Sequence, residues 1–211
     1  TAPLRRGPAR WEWDLPAVEA ALAPDTRLFL LCHPHNPVGR AWDEAELRAI
    51  DALAERRGLV VCSDEIHCGL VLEPGRRHVP YATLSPEAAR RSITLMAPSK
   101  TFNVPGLGCA FAVIPDAGLR GRFKQAMSGI VPYVNALGLV ACEAAFRHGG
   151  PWRAALLEHL RGNRDRLAAF LAETPALAST PVEATYLAWI DARGTGLPDP
   201  HRHLVEAGVG L

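Results

Sequence analysis

Apolar residues run in unbroken blocks through the first half of the chain and at helical spacing through the second. Residues 26–32 (TRLFLLC) have no polar position on either face beyond Arg27, so a strand buried on both sides of a sheet is expected there. The run stops at HPHNPVG (33–39), where two prolines and a glycine impose an extended, turning loop. Asp43 and Glu46 form a capping-box pair, and Leu47, Ile50, Leu53 and Ala54 give the following helix one apolar stripe. Gly58 after Arg56 and Arg57 ends that helix. A second strand follows at 59–62, a third at 93–96 behind a short helix at 86–91, and a fourth at 109–114. Ahead of them a short helix is expected over 17–23, behind Asp14. Beyond Pro115 the spacing reads as helices over 119–127, 134–147 and 152–173, with GGP (149–151) between the last two, then a strand over 185–190.

Strand, helix and strand in succession, each strand apolar on both faces, indicate an α/β fold with a mostly parallel sheet and crossover helices. The break at 149–151 divides it into a large domain, residues 1–150, and part of a smaller α+β C-terminal domain, residues 151–211. Open sheets of this kind bind ligands beyond the carboxyl ends of their strands. Asn36 follows the first strand, Asp64 ends the second within LVVCSDEIH (59–67), and Lys100 follows the third within MAPSKTFN (96–103). Three polar groups from separate parts of the chain should therefore gather along one rim.

Composition narrows the possibilities. A hydrophobic fraction of 48% with 21% charged residues supports a packed core and argues against disorder. With 23 basic and 22 acidic residues the net charge is +1, so there is no electrostatic case for nucleic acid or an anionic membrane. The apolar runs are too short to span a bilayer, and residues 1–10 lack the apolar stretch of a signal peptide. Four of the five cysteines lie in or beside apolar runs, which favours a reducing cytoplasm. Cys32, His33, His35, Cys62, His67 and Cys68 offer a competing metal-binding reading. No CxxC or HExxH spacing supports it, and Cys32 and Cys62 sit in strands, so no metal is expected.

A lysine just past a buried strand, facing an aspartate at the end of a neighbouring one, suits pyridoxal phosphate. The amine forms an imine with the cofactor aldehyde, and the carboxylate keeps the pyridine nitrogen protonated. In that arrangement Asn36 is placed to donate to the ring's phenolic oxygen, His67 to reach the same region, and Ser99 to give its hydroxyl to the phosphate. Each has a plainer reading. Lys100 is otherwise an exposed loop lysine, Asp64 a strand-end carboxylate and His67 a packed imidazole. Glu65 is expected to serve structure, salt-bridged to an arginine, and Tyr186 and Trp189 to fill the core of the smaller domain. His33 and His35 have no assigned task, and the arginines from 161 to 166 read as a solvated helix face. Tyr133 and Asn135 either face the cofactor or a partner subunit, or simply begin a surface helix.

Four segments together, PHNPVGR (34–40), SDEIHCGL (63–70), APSKTFNVPGL (97–107) and EATYLAWID (183–191), resemble fold type I pyridoxal-phosphate enzymes of the aminotransferase class I/II superfamily. More narrowly they resemble the MalY/PatB branch of cystathionine β-lyase-like carbon–sulfur lyases, over nearly the whole chain. The resemblance implies that Lys100 is the Schiff-base lysine, Asp64 the pyridinium partner and Asn36 the ligand of the ring oxygen. His67 stands where many aminotransferases carry a tyrosine, and this detail favours a lyase. The chain departs from the family at Gly108, where many relatives have a phosphate-binding arginine. It also begins after the point where relatives supply a glycine-containing phosphate loop and a stacking aromatic, and ends before their carboxylate-binding arginine. The resemblance therefore implies a central-to-C-terminal piece of a longer, homodimeric protein with sites at the subunit interface. The implied activity is β-elimination from cystathionine and cysteine S-conjugates, giving thiol, pyruvate and ammonia. An aminotransferase using the same residues, and a non-catalytic cofactor-binding module, are the alternatives.

Overall fold

The computed structural model describes residues 1–210. A two-stranded antiparallel ribbon, β1 (Arg5–Arg6) and β2 (Trp11–Glu12), leads into α1 (Leu15–Ala20), whose first turn is capped by Asp14 Oδ1 accepting from Ala17 N at 3.1 Å. Then follow β3 (Leu28–Cys32), α2 (Glu44–Arg57), β4 (Val60–Asp64), α3 (Pro86–Arg90), β5 (Ser92–Met96) and β6 (Phe111–Val113). Helices α4 (Ala117–Met127), α5 (Ala136–His148) and α6 (Gly150–Ala172) come next. A second ribbon of β7 (Ala178–Ser179) with β8 (Ile190–Asp191), and α7 (Pro200–Glu206), complete the chain. Among the described residues no helix is long and apolar enough to cross a membrane.

The central sheet has the order β3-β4-β5-β6, with the first three strands parallel and β6 antiparallel to β5. This is the expected α/β arrangement, and α2 supplies the crossover between β3 and β4. Helix α2 begins as its sequence dictates: Glu46 N donates to Asp43 Oδ1 at 2.9 Å, and Asp43 N donates back to Glu46 Oε2 at 2.8 Å. Gly58 closes it in the left-handed region, at φ +62°. Leu47 and Ala54 of this helix pack with Leu31, Trp42, Val61 and Tyr81 on one face of the sheet. Ile93, Ile114 and Leu119 of α4 form a smaller cluster with Cys62, Leu95 and Phe123 on the other.

Four expectations fail here. β3 is an edge strand, not doubly buried, with Leu28 48% and Leu30 73% exposed. An apolar run shows that neither face avoids a covering layer, not that each has one. The strand expected over 185–190 is reduced to its last residue, Ile190 in β8, because Thr185 turns out of extended geometry at φ +71°. Tyr186 and Trp189 are accordingly about half exposed rather than core. The arginines of α6 are also not uniformly solvated. Arg153 Nε donates to Gly69 O and Arg161 Nε to Leu72 O, both at 2.7 Å, and Leu157 between them packs on Leu70 and Leu72.

Candidate active site

The register puts the carboxyl ends of the three parallel strands side by side. Cys32 of β3 pairs with Asp64 of β4, and Asp64 pairs with Leu95 of β5. Neighbouring strands lie about 4.8 Å apart, so the chain leaves the sheet at three adjacent points. Asn36 follows four residues after Cys32, and Ser99 and Lys100 four and five residues after Leu95. Asp64 stands between them as the last residue of its strand.

Asp64 is half-buried, and its Oδ1 accepts from Ile66 N at 3.2 Å. Lys100 and Ser99 are half-buried in the turn after β5, where Val104 N donates to Ser99 O at 3.2 Å. Asn36 is exposed, its backbone N–H directed at Cys32 Sγ at 3.4 Å. His67 is buried beneath them, 3% exposed. Burial, and after it the positive charge of Lys100, hold its imidazole below the usual range, while the Asp64 carboxylate pulls the other way. One imidazole thus feels both charged groups. Its Nδ1 is buried without a hydrogen-bond partner among the described residues.

The Lys100 turn is seated against the turn after Asp64 by a close backbone approach. A Cβ placed on Gly69 would stand 2.4 Å from Thr101 Oγ1 and 2.6 Å from Thr101 Cγ2. Thr101 is buried, and Gly69 is the residue that lets it in.

Glu65 serves structure, but its partner is a histidine rather than an arginine. His78 Nε2 donates to Glu65 Oε2 at 2.6 Å, Ser63 Oγ to Oε1 at 2.8 Å and Tyr81 N to Oε1 at 3.0 Å. His33 stacks on His78 with ring centroids 4.3 Å apart and donates from Nε2 to Val79 O at 3.0 Å, so it too has a packing task. His35 meets Trp42 edge-on. Tyr133 is fully exposed, while Asn135 caps α5 through Gly138 N and donates from Nδ2 to Leu107 O at 2.9 Å. Among the described residues no three His, Cys, Asp or Glu side chains are grouped to hold a metal ion.

Two features escape sequence reasoning. Arg40, completely buried, donates from Nη1 to Glu183 Oε1 and Oε2 at 2.6 and 2.5 Å, from Nη2 to Glu46, and from Nε to Trp11 O at 2.8 Å. Arg76 joins Glu183 at 3.3 Å. This knot ties the loop carrying Asn36 to the segment at 183–185. The second is Tyr186, whose ring stands edge-on to His67 with centroids 5.7 Å apart. The pairing of Arg40 with Glu183 spans 143 positions and has no local signal.

Comparison with known proteins follows the same lines. The family model for aminotransferase class I and II matches residues 1–208. Cystathionine beta-lyase PatB of Bacillus subtilis is 38% identical over 93% of this chain and 51% of its own length. The crystal structure of OvoB superposes with a TM-score of 0.95 at 49% identity, over 99% of this chain and 55% of that one. Cystalysin from Treponema denticola, solved with pyridoxal 5'-phosphate, gives a TM-score of 0.88 at 30% identity, over 96% of this chain and 52% of its own. The chain spans about half the length of the curated relatives it matches.

Proposed function

The chain belongs to the aminotransferase class I and II family, and on that premise we propose that it holds the cofactor of a pyridoxal-phosphate-dependent carbon–sulfur β-lyase. The substrates are cystathionine and other cysteine S-conjugates, the products thiol, pyruvate and ammonia. What carries the reading is the adjacency of β3, β4 and β5, through which Asn36, Asp64 and Lys100 share one edge. The similarity to PatB supports the lyase over the transaminase.

The donor set suits the cofactor. The Asp64 carboxylate, steadied by Ile66 N, is the partner for a protonated ring nitrogen. Asn36 is the donor for the ring oxygen, Ser99 Oγ for the phosphate, and Lys100 Nζ the covalent tether. When bound, pyridoxal phosphate supplies an electron sink for the charge left on the substrate α-carbon. Once the incoming substrate amine has replaced it at the cofactor, the freed Lys100 Nζ would take the proton from that carbon as general base. The α-carbon's electron pair would then form a double bond to the β-carbon as the bond from β-carbon to sulfur breaks, its own pair leaving on sulfur, which gains a proton to become the thiol. Water supplies the oxygen of pyruvate and releases the nitrogen as ammonia. His67, held neutral by burial, lines the site without adding a cation.

Residues 1–150 form the cofactor-binding part in this reading and 151–211 a piece of a smaller domain. The exposed side chains of Ile130, Leu137 and Val140, 81%, 73% and 66% accessible, support a homodimeric contact. Transamination is the second reading, and the family's own description favours it. A visible spectrum of the whole protein with pyridoxal phosphate, before and after borohydride reduction, tests the site, and the reduced adduct is expected on Lys100. Label on another lysine, or on none, overturns the assignment. Incubation with cystathionine separates the two activities: the lyase gives thiol and pyruvate without a keto-acid acceptor, whereas the transaminase requires one.

A further inference from the structure

The segment leading to Tyr186 is held in a conformation that its own residues resist. Thr185 is β-branched and completely buried, yet its backbone sits in the left-handed region at φ +71°. Two loops enforce it. Glu183 N and Ala184 N both donate to Gly39 O at 2.9 Å, on the loop that carries Asn36. Thr185 N donates to Leu70 O at 2.9 Å, just beyond the turn that carries Asp64 and His67. Thr185 Oγ1 then accepts from Leu187 N at 3.1 Å. The outcome is a tyrosine turned out of the core, 46% exposed, with its ring edge against His67. Packing alone would bury this ring, and a surface tyrosine would not require strained backbone behind it.

We propose that Tyr186 is a specificity-determining residue, forming with His67 a wall against the sulfur substituent of the substrate. The inference rests on the reading of the Asp64–Lys100 edge as the cofactor site. Two rings set edge to face, one a neutral imidazole, offer a polarisable apolar surface. Thioether sulfur makes favourable contacts with aromatic rings at about 5 Å, whereas a hydroxyl in its place must give up hydrogen bonds to water that an apolar ring surface does not replace. The wall therefore selects thioether-bearing amino acids over their hydroxyl counterparts.

The test uses the holoenzyme and two probes that lack an α-proton and cannot react, α-methyl-S-methylcysteine and α-methylserine, with binding measured by calorimetry. Tyr186→Ala is expected to weaken the thioether probe about three- to tenfold, with Tyr186→Phe retaining most of the affinity. Affinity for α-methylserine and for pyridoxal phosphate should stay within about twofold, which a merely structural tyrosine would not achieve selectively. Unchanged thioether affinity in Tyr186→Ala, or equal loss for both probes, overturns the proposal. A parent protein that takes up no pyridoxal phosphate overturns the reading of the edge itself, and this inference with it.

Discussion

Substituting Gly69 by alanine probes whether the contact between two turns sets the position of Lys100. The added Cβ would meet Thr101 Oγ1 at 2.4 Å, Cγ2 at 2.6 Å and Cβ at 3.0 Å. Carbon atoms pack best at about 3.5–4.0 Å, so the two turns must part by roughly 1 Å. Thr101 is buried and β-branched, which limits escape by rotation. Overpacking of this kind costs about 1–3 kcal/mol, measurable as a lower urea midpoint at unchanged slope. Lys100 is the adjacent residue, so it moves with Thr101, and in its proposed role a shift of about 1 Å would cost on the order of a hundredfold in rate. Thr101→Ala in the same chain removes Oγ1 and Cγ2 and leaves only the contact at 3.0 Å. The double variant should recover at least about 1 kcal/mol of the loss, as well as borohydride labelling of Lys100. If Gly69→Ala alone matches the parent within about 0.5 kcal/mol and labels equally well, the two turns do not bear on each other as described.

Arg40→Leu leaves Glu183 buried with the more distant Arg76 and Arg10 and the Ala41 N–H, and should cost about 3–5 kcal/mol by urea denaturation; a loss under about 1 kcal/mol would mean that the knot is not a stabilising unit. Tyr81→Phe removes the 2.6 Å hydrogen bond to Asp51 Oδ1, and because Arg91 still holds that carboxylate the loss should lie near about 1.5 kcal/mol, read from the same assay. Burial, and after it the neighbouring His78, push His33 down to about 3, and its buried Nδ1 has no acceptor for a second proton. The unfolded chain therefore takes up a proton below about pH 6.5 that the native one refuses, and stability should fall by about 1.4 kcal/mol per pH unit between there and about pH 3. His35 and His67 are shifted the same way and add to the slope. His33→Gln, which keeps a donor for Val79 O, should lower the slope by one proton; an unchanged slope would mean that His33 titrates normally.

What the sequence made legible is what neighbouring residues decide among themselves. The capping box of α2 needs only Asp43 and Glu46, three positions apart, and Gly58 needs only its own freedom at positive φ. The edge carrying Asn36, Asp64 and Lys100 was legible for a related reason. Strand ends can be read locally, and parallel strands joined by crossovers bring their carboxyl ends together without further information. Where the outcome depends on a partner far along the chain, local pattern misleads. The apolar run of β3 could not reveal an uncovered face, and Glu65 could not announce that it would choose His78 over an arginine. The segment at 185–190 is the clearest case. Its β-branched and aromatic residues favour a strand, yet Gly39 O, which accepts from Glu183 N and Ala184 N, and Leu70 O, which accepts from Thr185 N, hold the segment where a strand cannot continue. That override coincides with the delivery of Tyr186 to the side of His67. Local preference should yield to tertiary contacts at functional sites more than elsewhere, because there a side chain's position matters more than the ease of its backbone.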